Sequence, residues 1–235
     1  MTALGTAVAA AVLAAACSSG QPVDAAPARG ADVRPSAKLD AVKGPLCVTK
    51  GRAAIGGRIG DPTVRAVVRG SSGDAASLTF KYLGDSDTTR ELASGQARRQ
   101  LGLKLRAEDG CNLVYVMWRL DPRPALEVSV KRNPGMTTHR QCGAAGYTKV
   151  RGETALAVPA LEKGGTHTLR AEITDHRLAA WIDDRLVWRG DLPGGARELR
   201  GVAGLRSDNV AYELVAFDTH GASGERCVIE PDESD

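Results

Sequence analysis

Three short stretches of this chain carry polar side chains at the spacing that would set them on one surface. Lys104 and Arg106 alternate with Leu101, Leu103 and Leu105. Tyr115 and Arg119 alternate with Val114, Val116, Trp118 and Leu120, and Glu127, Ser129 and Lys131 alternate with Leu126, Val128 and Val130. If the apolar sets pack inward, the opposite face is cationic on balance and holds one stackable ring. Planar guanidinium and ammonium donors can form paired hydrogen bonds to hydroxyl or carboxylate oxygens, and a tyrosine can lie against an apolar ring face. Trp181, set against Leu178, Ala180 and Ile182, is a second candidate platform from a neighbouring strand. The same pattern is also what a solvated sheet face presents. Lys104, Arg106, Tyr115, Arg119, Lys131 and Trp181 are the candidate ligand-binding residues, and no catalytic residue can be named.

Cys17 has a different chemistry. An apolar run from Leu4 ends in Leu13-Ala14-Ala15-Ala16-Cys17 and turns at once into Ser18-Ser19-Gly20. This is the outline of a lipoprotein signal, about the length of a signal-peptide core and short of the roughly 20 residues a spanning helix needs. Several acyl chains on Cys17 would anchor stably, at about 0.8 kcal/mol per buried methylene. Secretion with ordinary small-residue cleavage, or an Ala-rich cytosolic N-terminus, stays open, because no Lys or Arg precedes the run and Leu13 stands four residues before the cysteine. The expectation is an exported chain lipid-anchored in the cell envelope, at the outer membrane or cell surface.

Removing Cys17 leaves Cys47, Cys111, Cys142 and Cys227, an even set suited to an oxidising compartment. Of the three possible pairings, Cys111 with Cys142 would close a local loop and Cys47 with Cys227 would tie the domain's ends. Four buried thiols are the alternative. His139, His167, His176 and His220 are scattered, so no zinc spacing exists and no metal site is expected. Calcium is the one cofactor considered, through Asp208-Asn209, where an ordinary Asx turn is the preferred reading.

The elements that must position these groups are strands. Leu101 to Arg106 and Leu126 to Lys131 alternate strictly, and Asn112 to Leu120 is a longer strand between them. Similar runs lie at Thr63 to Arg69, Ser77 to Leu83, Thr168 to Thr174, Arg177 to Ile182, Leu186 to Gly190, Val202 to Leu205 and Tyr212 to Asp218. Turns at Asp175-His176 and Asp183-Asp184 make a meander. The one helical possibility is a short turn around Ala155 to Glu162, limited by Pro159. Trp118 is expected in the core, and Trp188 in the core or at a sheet edge. His139 falls in a polar loop that a Cys111–Cys142 bridge would hold as a rim. About ten short strands between Gly, Pro and Asp clusters predict an all-β antiparallel β-sandwich or jelly roll. It is expected over 44–235, after a signal at 1–17 and a disordered tether at 18–43 rich in Ala, Pro, Arg, Gly and Asp.

The block His167-Thr168-Leu169-Arg170-Ala171-Glu172-Ile173, Arg177 to Asp184, Leu186-Val187-Trp188 and Gly201 to Asn209 resembles the closing strands of concanavalin A-like jelly rolls. That superfamily holds laminin-G-like lectin modules, glucanases and 3-keto-disaccharide hydrolase-like domains. The central block from Gln100 to Arg119, with Asn133-Pro134-Gly135 and Cys142-Gly143, resembles segments of predicted lipoproteins of high-GC bacteria. The resemblance implies a concanavalin A-like β-sandwich with carbohydrate as the ligand class.

Composition and motifs then exclude several functions. Thirty-one basic against 28 acidic residues give a net charge of +3, and no Lys/Arg block forms a nucleic-acid footprint. The Glu-x-Asp-x-x-Glu strand of glucanases, which sets its carboxylates on one face, does not occur here. Uronate lyases of the fold use His, Tyr, Arg and Gln, for which Gln100, Tyr115, Arg119 and His139 are loose candidates. The expectation is a noncatalytic glycan-binding or surface-interaction module, meeting extracellular or cell-wall polysaccharide and held to the membrane by its lipid anchor. The alternatives are a polysaccharide lyase or hydrolase with a non-standard site, and a structural envelope lipoprotein.

Overall fold

Period-two alternation places apolar side chains on one side of nearly every strand, and two antiparallel sheets bury those sides against each other. The structure, a computed structural model, describes Met1 and residues 33–92, 94–221 and 227. The chain divides into two units, Met1–Asp32 and Val33–Asp235. The signal and Cys17 lie outside the described residues. No described helix is long and apolar enough to cross a membrane.

In chain order the strands begin with β1 (Asp40–Ala41), β2 (Cys47–Lys50), β3 (Arg58–Ile59), β4 (Thr63–Val67) and β5 (Ser72–Asp85). Next come β6 (Gln100–Ala107), β7 (Leu113–Arg119) and β8 (Ala125–Lys131), then the one-turn helix α1 (His139–Cys142). After it run β9 (Tyr147–Val150), β10 (Thr154–Ala155), β11 (Thr166–Thr174), β12 (Arg177–Ile182), β13 (Arg185–Asp191), α2 (Gly194–Arg197), β14 (Val202–Asp208) and β15 (Val210–His220). One sheet runs β1-β15-β5-β11-β12-β13-β10, with β3 also on β15; the other runs β2-β4-β14-β6-β7-β8-β9. This is an antiparallel jelly-roll β-sandwich.

Leu101, Leu103 and Leu105 of β6, Val114, Val116 and Trp118 of β7, Leu78 and Phe80 of β5 and Leu169 of β11 meet between the sheets, all without solvent exposure. Phe80 packs edge-on to Trp118 and to Tyr212, at centroid distances of 5.9 and 6.0 Å. Trp188 also joins this core. The β12–β13 hairpin turns on Asp183 (φ 50°) and Asp184 (φ 63°), both left-handed, a conformation aspartate tolerates better than most residues. The Asp183 carboxylate fixes the turn by accepting the Thr168 amide at 2.8 Å.

Cys47 pairs with Cys227 and Cys111 with Cys142. Two sequence expectations need correction. The expected tether to residue 43 ends earlier, because residues from Val33 onward lie on the β11–β12 surface: the Ser36 amide and hydroxyl both donate to Glu172 at 3.0 Å, and β1 pairs with β15. The expected helical turn around Ala155 to Glu162 is replaced by β10 and an irregular segment, since Leu156 N–H donates to the Val187 carbonyl and so continues along the edge of β13.

Phe80→Ala removes the ring that joins both sheets. It should cost about 3–5 kcal/mol, read as a lower midpoint in chemical denaturation with an unchanged slope.

Candidate functional site

The outward face of the second sheet is where the polar alternation converges. Antiparallel register sets Lys104 opposite Tyr115, Tyr115 opposite Ser129, and Ser129 opposite Lys149, a row across β6, β7, β8 and β9. One row along, Arg65 of β4 faces Arg206 of β14, which faces Gly102 of β6. A Cβ on Gly102 would lie 2.1 Å from the Val116 carbonyl oxygen, so only glycine lets β6 and β7 approach this closely. Above these rows is a cavity of about 580 Å³, within the range of roughly 300–1,000 Å³ usual for small-ligand sites. Arg90, Leu92 and Arg98 of the β5–β6 loop wall one side, and His139, Gly143 and Tyr147 wall the other.

The floor is organised by one carboxylate. Asp208 has no solvent exposure. It accepts from Arg65 Nη2 at 2.7 Å, Arg206 Nε at 2.9 Å and Gln100 Nε2 at 2.7 Å. Burial raises its proton affinity, but Arg206 and Arg65 lower it further, and the net shift is downward. Arg206 also lies over the Tyr115 ring at 4.8 Å and donates to the Tyr147 hydroxyl at 3.3 Å. The two tyrosine rings stack with centroids 6.0 Å apart and an interplanar angle of 18°.

Positive charge dominates the rest. Lys131, 1% exposed, donates to the Gly143 and Gly110 carbonyls at 2.9 and 3.2 Å and sits 5.2 Å from the Tyr147 ring centre. Burial lowers its proton affinity, and Arg206 lowers it too. For the Tyr115 phenol, burial acts upward while Arg206, Lys104, Arg65 and Lys131 pull it below its ordinary value. The Tyr147 phenol is pushed up to about 12, by burial first and by Tyr115 next.

The residues singled out in the sequence are divided by this geometry. Lys104 and Tyr115 line the cavity, and Lys131 supports its wall through Gly143. Arg119 stands at one end, donating to Glu127, which also accepts from Lys149 at 2.9 Å. Arg106 is not part of the site. The register of β6 shifts against β14 between Val202 and Gly204, Arg106 takes φ 47°, and its side chain binds Asp74 at 2.5 Å and the Ala196 carbonyl at 3.3 Å. Trp181 is also elsewhere: it belongs to the other sheet, where its indole N–H donates to the Val33 carbonyl at 2.6 Å.

His139 does reach the rim, on α1. The Thr138 and Gln141 capping box shapes that turn and the Cys111–Cys142 bridge holds it. Of the Asp208-Asn209 pair considered for calcium, Asp208 has both oxygens taken, by two guanidinium groups and an amide. Asn209 instead pins the wall loop, accepting the Arg90 amide at 2.7 Å and donating to the Arg90 and Arg98 carbonyls at 2.8 and 3.0 Å. Among the described residues no group of three His, Cys, Asp or Glu side chains gathers as a metal site. Arg65, Tyr147 and Arg206 line the cavity and were not singled out in the sequence, and Asp208, weighed there only for calcium, is the carboxylate that organises the floor. The signal was available in the alternation of Tyr147-Thr148-Lys149 and in the continuation of the Val202 strand through Arg206 and Asp208.

No family model matches the chain, and no curated protein matches it. Among solved structures, the carbohydrate-binding module CBM66 from Bacillus subtilis is similar over 75% of this chain and 93% of that one, with a TM-score of 0.51 and 13% identity. A galectin-Ib from Xenopus laevis covers 66% of this chain and 99% of its own at TM-score 0.43 and 15% identity. A tetrameric galectin from the ball sponge Cinachyrella sp. covers 67% and 97% at 0.42 and 13%. The first of these supports the antiparallel jelly-roll β-sandwich fold.

Asp208→Asn leaves Arg65 and Arg206 facing each other without their shared anion and should cost about 3–5 kcal/mol. The folded carboxylate binds its proton less readily than the unfolded one. Its stabilisation is therefore complete above the unfolded value of about 3.9 and is lost as pH falls below it. Denaturation curves of the wild type should lose stability across that acid range, and those of Asp208→Asn should be flatter there.

Proposed function

We propose that this chain is a glycan-binding module that takes a saccharide into the cavity over Tyr115 and Tyr147 and is held at the cell envelope by a lipid on Cys17. The observation that carries this reading is the stacked tyrosine pair set beside the Arg206 guanidinium in a cavity of about 580 Å³. Tyr147 is 43% exposed, so its ring is available to the apolar face of a sugar while Arg206 and Lys104 donate toward oxygens. The fold neighbour from Bacillus subtilis is itself a carbohydrate-binding module.

A noncatalytic role is supported by Glu127, one of the two acidic residues that line the cavity. Retaining and inverting glycosidases need one carboxyl group that keeps its proton near neutral pH. Burial acts in that direction on Glu127, but its hydrogen bonds to Lys149 and Arg119 hold it below its ordinary value, so it is ionised. The lyase constellation of Tyr115 with Arg119 also lacks support. These residues lie four apart on one strand, roughly 13 Å at about 3.3 Å per residue, and Arg119 is engaged by Glu127.

The full chain should bind on a broad glycan array and be pulled down by cell-wall polymers. Tyr147→Ala should weaken that binding about tenfold or more, equivalent to about 1.4 kcal/mol, while Val215→Ser on the other sheet leaves it unchanged. Absence of binding in both assays would remove the glycan reading. Anchoring is tested separately: the expressed wild type should incorporate labelled fatty acid and fractionate with membranes, and Cys17→Ala should lose both properties. An unlabelled, soluble wild type would overturn the anchor and leave the binding reading standing.

A further inference from the structure

We propose that the saccharide bound in this cavity is anionic, carrying a carboxylate or phosphate group read by Lys104, Lys149 and Arg206. This rests on the glycan-binding reading and narrows it. The whole chain is nearly balanced, with 31 basic and 28 acidic residues, yet seven basic side chains and only two acidic ones, Glu91 and Glu127, line the cavity. Composition alone would give no such concentration.

Two carboxylates, Asp208 beneath the cavity and Glu127 in its lining, are already divided. Asp208 is shared by Arg65 and Arg206, and Glu127 by Arg119 and Lys149. Each anion therefore serves two cations, and the cavity keeps a positive excess. Like charges set side by side in a partly desolvated place repel, and an anion that enters offsets this repulsion. The downward pull on the Tyr115 phenol has the same origin.

Hydrogen-bonding capacity points the same way. Arg and Lys only donate, so a lining dominated by them matches a ligand group made of acceptor oxygens. A neutral sugar hydroxyl donates as well as accepts and would find few acceptors here. Arg206 and Lys104 come from neighbouring strands, on either side of Gly102 and Gly204, while Lys149 reaches in from β9. The three thus reach the same cavity from different strands, and Arg206 lies over the Tyr115 ring. A single-stranded nucleic acid is disfavoured because among the described residues only Tyr147 offers an exposed ring, whereas such strands are held by successive stacking platforms along an open groove.

The test uses calorimetric titration of the full chain with five probes: a uronate oligosaccharide, its carboxyl-reduced counterpart, a phosphate-linked polyol oligomer, inorganic phosphate and an oligothymidylate. The uronate or the phosphate-linked oligomer should bind at least about tenfold tighter than the reduced oligosaccharide, with affinity falling as salt rises. Whichever of the two binds identifies the source of the anion. Lys149→Gln, at a side chain 69% exposed, should weaken binding several-fold with a native-like melting curve, as should Lys104→Gln if its melting curve is native-like. Equal binding of the reduced oligosaccharide would overturn the anionic inference and leave the glycan reading intact. Inorganic phosphate or oligothymidylate binding as tightly as the acidic oligosaccharides would also overturn it. Silence of all five probes would overturn it too, and the glycan reading falls with it only if the array is silent as well.

Discussion

The second sheet depends on a buried carboxylate that lets two arginines face each other. Arg65 and Arg206 are direct cross-strand partners, an arrangement of like charges that is unfavourable by itself. Asp208, two residues beyond Arg206 on the same face, reaches back to both and takes the Gln100 amide as well. Three strands, β4, β14 and β6, are thereby joined by side chains as well as by their backbone ladders. Charge-assisted bonds of this kind are roughly twice as strong as neutral ones. They also fix where the Arg206 guanidinium lies, and that position sets Tyr115 beneath it and Tyr147 beside it. The site's geometry is therefore inherited from a structural ion network.

Much of this was legible in the sequence because its signal is local. Strict alternation in Leu101 to Leu105, Val114 to Trp118 and Leu126 to Val130 placed three neighbouring strands and the inward position of Trp118. It also placed Lys104 and Tyr115 on one face. Arg106 broke the pattern for a reason no alternation can carry: a register shift opposite Val202 lies in the partner strand, a hundred residues away in order of magnitude. Asp208-Asn209 carried the signature of a turn, which Asn209 does make, and this concealed the carboxylate preceding it. Burial beside Arg65 is a long-range fact, and no neighbour of Asp208 in the chain announces it.

Trp181 teaches a different lesson. Its alternation against Leu178, Ala180 and Ile182 did place it on the outer side of its sheet, yet it is 2% exposed. The cover comes from residues 33–37, whose composition reads as a tether. Ser36 and Ala37 amides both donate to Glu172, and Arg170 binds the same carboxylate at 2.7 Å. Polar residues on a strand face were thus paired with backbone from the N-terminal side of the domain. Low hydrophobicity told correctly that this segment builds no core of its own, but hydrogen bonding to a preformed sheet asks for no apolar residues.

A sandwich has two outer faces, and here they are used differently. On the first sheet the outer groups of β11 and β12 are satisfied by the chain itself, through Val33, Ser36 and Ala37. On the second, the rows through Lys104, Tyr115 and Arg206 line a cavity whose walls are built by the β5–β6 loop and α1. Each wall is tied down separately, the loop by Asn209 and α1 by the Cys111–Cys142 bridge. Lys131 adds a third tie, since its ammonium holds the Gly143 carbonyl at the end of α1. Ordering costs of about 1–2 kcal/mol per residue fall on any loop that must be fixed when a ligand arrives. Walls already held by a disulfide, a buried ammonium and an asparagine bring that cost forward into folding, so the cavity meets its ligand in a nearly finished shape.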